Sequence, residues 1–317
     1  MKVLVFGLGA LGTVYSCLLK KAGYEVTGID REMVAAEIKN KGVRINGIWG
    51  EHEACLDKVC SQVKEIEQND FDLIILSVKA YETAEVALQL QKVISPRTYL
   101  ILAQNGYGNF EAAARFIPQE QIILARVIFG AETLSAGSSK VTVIADDVIL
   151  GNPLRTINID FLTNLADIFT QAGIPTRASD DVMKYVWGKI TYNSALNPLG
   201  AILEVNYGKL AQMDSSRSLM NSIIEEIFAV LAAINQESIW PDAASYMEAF
   251  YQQMVPSTAG HHASMLQDIQ RGRKTEIDAL NGSVVELGKQ YGIPTPVNAV
   301  ISSLLKAKET MFAKPEN

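Results

Sequence analysis

At 317 residues, with 48% hydrophobic and 20% charged residues, the chain is too apolar for a disordered protein and long for one core. Single cores stop growing near about 250–300 residues, so two domains are expected. The 28 Lys and Arg against 35 Asp and Glu leave a formal charge of −7, which argues against nucleic acid or an anionic membrane as partner. Cys17, Cys55 and Cys60 fit the spacing of neither a zinc site nor a disulfide framework, and a reducing compartment is the simpler reading. Met1-Lys2 runs straight into Val3–Phe6 with no leader in signal-peptide order, and no apolar run is long enough to span a bilayer. A soluble, cytoplasmic protein is the expectation.

In chain order, Val3–Phe6, Glu25–Ile29, Leu73–Val78 and Tyr99–Ala103 read as strands, and Leu11–Ala22, Arg31–Lys41 and Thr83–Ile94 as helices. Strands too apolar to face water on either side, alternating with helices, predict a covered parallel sheet. Gln121–Phe129 and Lys140–Leu150, joined through Ser135-Ala136-Gly137-Ser138-Ser139, are expected to extend that sheet in mixed orientation. After a helix over Ile159–Ala172 and a break at Gly173-Ile174-Pro175, helical patterns fill the rest. They cover Asp180–Leu196, Ser215–Asn235, Ala243–Met254, Ser264–Arg271, Thr275–Tyr291 and a last segment after Pro296. The boundary is placed near Pro175–Ser179, giving domains 1–176 and 177–317.

Gly7-Leu8-Gly9-Ala10-Leu11-Gly12 is a G-x-G-x-x-G that directly follows a strand and opens a helix, the context that a dinucleotide fingerprint requires. Gly7 would allow the tight turn, Gly9 the approach of a pyrophosphate, and Gly12 close helix–strand packing over a helix N-terminus that favours anions. The fold class is therefore α/β: an N-terminal Rossmann-type doubly wound sheet followed by an all-helical C-terminal domain. Asp30 and Arg31 end the second strand, 18 and 19 residues past Gly12, where the adenosine ribose is read. A carboxylate there suits the hydroxyls of NAD and an arginine the 2′-phosphate of NADP, so the pair leaves the cofactor open. Lys79 and Asn105 stand at two further strand ends on the same rim; each also reads as an ordinary loop residue, and Asn105-Gly106 as a turn pair.

The stretch Tyr185–Leu203 holds one charge, Lys189, and is expected to be buried on most faces. Lys189, Asn193 and Asn197 stand at i, i+4 and i+8, one polar line on an apolar helix that Pro198 distorts. A buried lysine needs a partner or gives up its proton more readily, and either suits an acid that protonates an alkoxide. Ser264 and Glu276 are 12 residues apart, about 18 Å along a continuous helix. Gly272 between two arginines predicts a break that brings them closer. As carboxylate, Glu276 ranks barely above Asp268 and Asp278, and it also reads as a residue opening a helix. His261-His262 reads as solvated. No residue group has metal-ligand spacing, and Gly-x-Ser-x-Gly is absent.

Together the glycine turn, Ser77-Val78-Lys79-Ala80, Gln104-Asn105-Gly106, Lys189…Asn193…Asn197-Pro198, and Ser264-Met265-Leu266-Gln267-Asp268 with Thr275-Glu276-Ile277-Asp278 resemble the ketopantoate reductase (2-dehydropantoate 2-reductase) family over essentially the whole chain. The resemblance implies reduction of 2-dehydropantoate to (R)-pantoate by NADPH, a step toward coenzyme A, with the substrate enclosed as a cleft closes. It implies Lys189 as general acid and Glu276 as the group that orients substrate and tunes Lys189. Asn105, Asn193, Asn197 and Ser264 would hold the substrate. The cofactor site would comprise Gly7, Leu8, Gly9, Ala10, Leu11, Gly12, Asp30, Arg31, Lys79, Asn105 and Glu276, with Arg31 and Lys79 on the 2′-phosphate. Asp30 departs from the family pattern and leaves NADH open. Two other readings stand beside it: an NAD-dependent D-2-hydroxyacid dehydrogenase for another branched 2-keto acid, and a non-catalytic dinucleotide sensor. The expected partner is a small 2-keto acid, and the apolar helices leave room for a homodimer.

Overall fold

The computed structural model describes residues 1–67 and 70–313. The chain forms two compact units, Met1–Gln104 with Asn109–Val182, and Asn105–Gly108 with Met183–Asn317.

The first unit opens as β1 (Lys2–Phe6), α1 (Ala10–Lys21), β2 (Glu25–Ile29) and α2 (Glu32–Lys41). Three short strands follow, β3 (Val43–Gly47), β4 (His52–Ala54) and β5 (Lys58–Cys60), then β6 (Leu73–Leu76), α3 (Thr83–Leu90), β7 (Tyr99–Leu102) and α4 (Asn109–Ala114). It closes with β8 (Ile122–Arg126), β9 (Phe129–Ser135), β10 (Ser138–Ile144), β11 (Val148–Gly151), α5 (Ile159–Gln171) and β12 (Thr176–Ala178). Six neighbours, β5-β2-β1-β6-β7-β8, are mutually parallel. Ranked by chain position they read 3-2-1-4-5-6 across the sheet, the doubly wound order. The order reverses between β1 and β6, and the glycine turn leaves β1 at that point. Val3, Leu4 and Val5 are fully buried, as a strand covered on both faces requires.

The two later β-rich stretches each split. β8 and β11, buried along their length, join the main sheet as an antiparallel pair, and β12 adds in parallel to β11. β9 and β10 instead pair with each other and build a second sheet, β4-β3-β10-β9. Expecting all of them in one sheet was wrong because β9 and β10, unlike β8 and β11, are not buried along their length and suit a sheet with one wet face. The second sheet packs on α1, which explains why every residue from Gly12 to Leu19 is buried. Tyr15 sits edge-on between Phe129 and Phe169.

From Met183 on, the second unit is helical: α6 (Val182–Leu203), α7 (Tyr207–Gln212), α8 (Asp214–Ala233), α9 (Ala243–Ala249), a π-helical turn over Phe250–Met254, α10 (Val255–Ser257), α11 (Ser264–Gln270), α12 (Asn281–Tyr291) and α13 (Pro296–Phe312). Its core joins Trp187, Ile190 and Leu196 of α6 to Ile223 and Ile227 of α8, Tyr246 of α9, and Leu305 of α13. α6 runs on through Pro198 to Leu203. The helix expected over Thr275–Tyr291 starts instead as a 3-10 turn, Ile277–Ala279, and becomes α-helical at Asn281. No helix among the described residues is long and apolar enough to cross a membrane.

Candidate active site

In the first unit the chain turns from β1 into α1 within three residues. Gly7 takes φ +92°, and a Cβ there would lie 2.9 Å from Val78 Cγ1. A Cβ on Gly12 would fall 1.8 Å from the Gly7 carbonyl oxygen, so close packing of α1 on the turn demands glycine. Gly9 differs, because a Cβ there would meet nothing within 4 Å. It faces open space, and no side chain caps α1, so the N–H groups of its first turn are available to an anion. Neighbouring strands brace the turn: Gly7 N donates to Ile29 O (2.8 Å) and Ser77 Oγ to Gly7 O (2.7 Å).

Asp30 and Arg31, equivalent candidates by sequence, separate in space. Asp30 turns inward, where Oδ2 accepts from Leu8 N at 2.6 Å and Oδ1 from Arg31 N at 2.7 Å. The Arg31 side chain is 84% exposed, with Nε 3.8 Å from Asp30 Oδ1. Lys79 is half-buried just past β6. Beyond β7, Gln104 is occupied locally, with Nε2 donating to Thr83 Oγ1 at 2.7 Å.

In the second unit, Asn105–Gly108 packs on the segment after α11. Gly106 and Gly108 have positive φ, and a Cβ on Gly106 would lie 2.4 Å from Ala279 O. Tyr107 N donates to that same carbonyl (2.8 Å), and its ring stacks on Trp187 with centroids 5.1 Å apart. The segment thereby presents Asn105 Nδ2 to Glu276 Oε2 at 3.2 Å. Glu276 is 8% exposed. It leads into a 3-10 turn rather than a long helix, and its position depends on the predicted break: Gly272 takes φ +68°, and Thr275 is tied to Glu309 through N (2.7 Å) and Oγ1. The rival carboxylates are engaged with cations. Asp268 pairs with Arg273 at 2.9 Å, and Asp278 with Lys306 and Lys274.

Lys189, Asn193 and Asn197 follow one line along α6, Lys189 half-buried and both asparagines buried. Asn197 Oδ1 accepts from Tyr207 OH at 2.9 Å and from Ser264 Oγ at 3.4 Å, so α6, α7 and α11 converge there. Tyr207 escaped the sequence reading. Its phenol is buried, which pushes its pKa well above the ordinary value and keeps it a neutral donor. Its sequence neighbours, Glu204, Asn206 and Lys209 among them, gave no sign of this burial. His262 is exposed, and His261 lies against the Tyr207 ring. No group of three or more potential metal ligands occurs among the described residues.

Two protein-family models match the chain: "Ketopantoate reductase PanE/ApbA" over residues 3–153 and "Ketopantoate reductase PanE/ApbA C terminal" over residues 181–309. The chain is 45% identical to the 2-dehydropantoate 2-reductase of Aquifex aeolicus across 314 residues, 99% of each protein. Among solved structures, D-mandelate dehydrogenase with NADH and anilino(oxo)acetate superposes with a TM-score of 0.88 at 28% identity, covering 99% of this chain and 100% of the other. A ketopantoate reductase from Ralstonia eutropha JMP134 gives 0.86 at 29% identity, over 98% and 99%.

Proposed function

Because the chain belongs to the ketopantoate reductase family and is an NAD(P)-dependent oxidoreductase, we propose that it reduces 2-dehydropantoate to (R)-pantoate with NADPH. The observation that carries this reading is the polar line of α6: one lysine and two buried amides, with Ser264 hydrogen-bonded to Asn197. A cation and two amides on one helix face, with the Ser264 hydroxyl of α11 beside them, suit a small hydroxy-keto acid anion.

The first unit fits a dinucleotide. The open side of Gly9 and the uncapped start of α1 would take the pyrophosphate, and Arg31 and Lys79 the 2′-phosphate. Asp30 is spent largely on the Leu8 and Arg31 N–H groups, which favours NADPH. When bound, the nicotinamide supplies the hydride. Lys189 gives its proton to the oxygen of the reduced carbonyl and stabilises the charge that develops there. Glu276, held by Asn105, orients the substrate hydroxyl, while Asn193, Asn197 and Ser264 hold the substrate's remaining polar groups. These roles assign dinucleotide binding to the first unit and substrate binding and proton transfer to the second.

A second reading, an NADH-dependent D-2-hydroxyacid dehydrogenase for another branched 2-keto acid, is favoured by the carboxylate of Asp30 at the end of β2 and by the likeness to D-mandelate dehydrogenase. Initial rates with 2-dehydropantoate and other branched 2-keto acids, each with NADPH and NADH, separate the two. The first reading fails if 2-dehydropantoate with NADPH is not the best pair by kcat/KM.

A further inference from the structure

Helix α6 carries a proline in its interior and does not break. Pro198 has no N–H, so the carbonyl of Ser194, four residues earlier, loses its intrahelical donor. Ser194 is fully buried, and water cannot take the donor's place. The donor comes from another element. Asn281 Nδ2, at the start of α12, lies 3.0 Å from Ser194 O and 3.0 Å from Asn298 Oδ1.

The orientation of this amide is determined by the chain of bonds behind it. Asn298 Nδ2 donates to Glu226 Oε2 at 2.7 Å, and Glu226 also accepts the N–H groups of Val297 (2.8 Å) and Asn298 (2.9 Å) at the start of α13. A carboxylate accepts only, so Asn298 must turn its nitrogen to Glu226 and its oxygen to Asn281. Asn281 must then turn its nitrogen to both Asn298 Oδ1 and Ser194 O. Asn281 and Asn298 are fully buried. The line runs from α8 through α13 and α12 to the turn of α6 that precedes Pro198.

Two members of this line, Ser194 and Asn281, adjoin the candidate site. Ser194 and Pro198 are the chain neighbours of Asn193 and Asn197. Asn281 follows directly on the turn that Glu276 opens, where Leu280 N donates to Glu276 O at 3.2 Å and Ala279 O receives Tyr107 N. We propose that Asn281 is a positioning residue for the reaction: by supplying the hydrogen bond that Pro198 withholds from Ser194 O, it sets the Lys189–Asn193–Asn197 line against the segment that carries Glu276. The proposal rests on the function assigned above.

Pro198→Ala restores an N–H to Ser194 O and gives the test its control. In the full-length enzyme, Asn281→Ala lowers kcat by about 10- to 100-fold, the scale of a misplaced catalytic group, with the dinucleotide KM within about twofold. In the Pro198→Ala background the same substitution costs less than about threefold, because coupled sites are not additive. Hydrogen exchange measured by mass spectrometry reads the same coupling without substrate: Asn281→Ala speeds exchange over residues 189–203 when Pro198 is present and not when Ala replaces it. Should Asn281→Ala fail to fold, Asn281→Ser is compared in both backgrounds. Equal losses in the two backgrounds, or a lower Tm with unchanged kcat and exchange, overturn the role of Asn281. An inactive wild type with coupled exchange overturns the substrate reading alone.

Discussion

Asn105 and Glu276 stand 171 positions apart and are joined by a hydrogen bond of 3.2 Å from Asn105 Nδ2 to Glu276 Oε2. The carboxylate is nearly buried, so this donor replaces water it has lost. Hydrogen bonds to charged groups are worth about 1.5–3 kcal/mol. Asn105→Ala is therefore expected to lower kcat/KM for the keto acid by roughly 10- to 100-fold. Steady-state rates check this, with Tm measured alongside. Wild-type kcat/KM in this variant would remove Asn105 from the site.

The glycine turn yields a pair of opposite outcomes. On Gly12 a methyl group would fall 1.8 Å from a backbone oxygen, and on Gly9 it would meet nothing within 4 Å. Gly12→Ala is expected to lose soluble, folded protein, since no side-chain rotation relieves a backbone clash. Gly9→Ala should keep the wild-type Tm within about 2 °C while weakening dinucleotide binding at least about tenfold, because its methyl group occupies the approach to the α1 N–H groups. Melting curves and fluorescence titration distinguish them. Unimpaired binding by Gly9→Ala would place the pyrophosphate elsewhere.

Asp30 and Arg31 can be separated in the same way. Arg31→Ala should raise the KM for NADPH by roughly 10- to 100-fold, the worth of a charge-assisted phosphate contact, and leave the KM for NADH near wild type. Asp30→Ala removes the acceptor of Leu8 N–H and should weaken both dinucleotides alike. A selective loss of NADH in Asp30→Ala would instead show that this carboxylate reads the ribose.

The parts of the fold legible in the sequence were those decided locally. β1, β6 and β7 announce themselves because their runs are largely buried and almost wholly apolar, β2 because Val26 to Ile29 are buried, and Gly12 is required by a clash with Gly7, only five residues away. β3 and β4 carry Arg44, Asn46, His52 and Glu53 and are strands through pairing with each other and, for β3, with β10, far along the chain. Glu276 ranked barely above Asp268 and Asp278, because the pairing of Asp268 with Arg273 and of Asp278 with Lys306 is set by the fold and not by the local sequence. Pro198 was visible as a flaw in α6, whereas the amide that repairs it lies 87 positions from Ser194. A run of residues shows that a donor is missing and leaves unstated which distant side chain supplies it.

The segment beyond Glu276 carries a pH-dependent contribution to stability. Burial alone would raise the pKa of Asp278, but its hydrogen bond to Lys306 and the charges of Lys306 and Lys274 outweigh it and hold the carboxyl below its ordinary value. The folded protein therefore binds this proton more weakly than the unfolded chain. Its stabilisation is complete above the ordinary carboxylate range and is lost as pH falls through the lowered folded-state value. All three side chains are about half exposed, so solvent screening limits the pair to under ~1 kcal/mol. Lys306→Ala should cost roughly 0.5 kcal/mol near neutral pH and progressively less in acid. Urea denaturation across that range checks it, and a cost that does not change with pH would count against the ion pair.

Lys189 is the group on which the proposed chemistry turns. It lies half-buried on α6, one turn from Asn193 and two from Asn197, and a positioned general acid contributes about 10²- to 10⁴-fold. Lys189→Ala should lower kcat by that factor. The glycine turn belongs to the other unit, so the Kd for the dinucleotide should stay within about twofold. Lys189→Arg keeps a positive charge but holds its proton too tightly to donate it, so it should recover part of the charge stabilisation and none of the proton transfer. The acid must be protonated to work, which makes wild-type kcat fall as pH rises through the lysine's titration. That alkaline limb should vanish in Lys189→Arg, leaving a flat profile at a lower rate. A Lys189→Ala enzyme with near-normal turnover, or an alkaline limb that survives in Lys189→Arg, would assign the proton to another group.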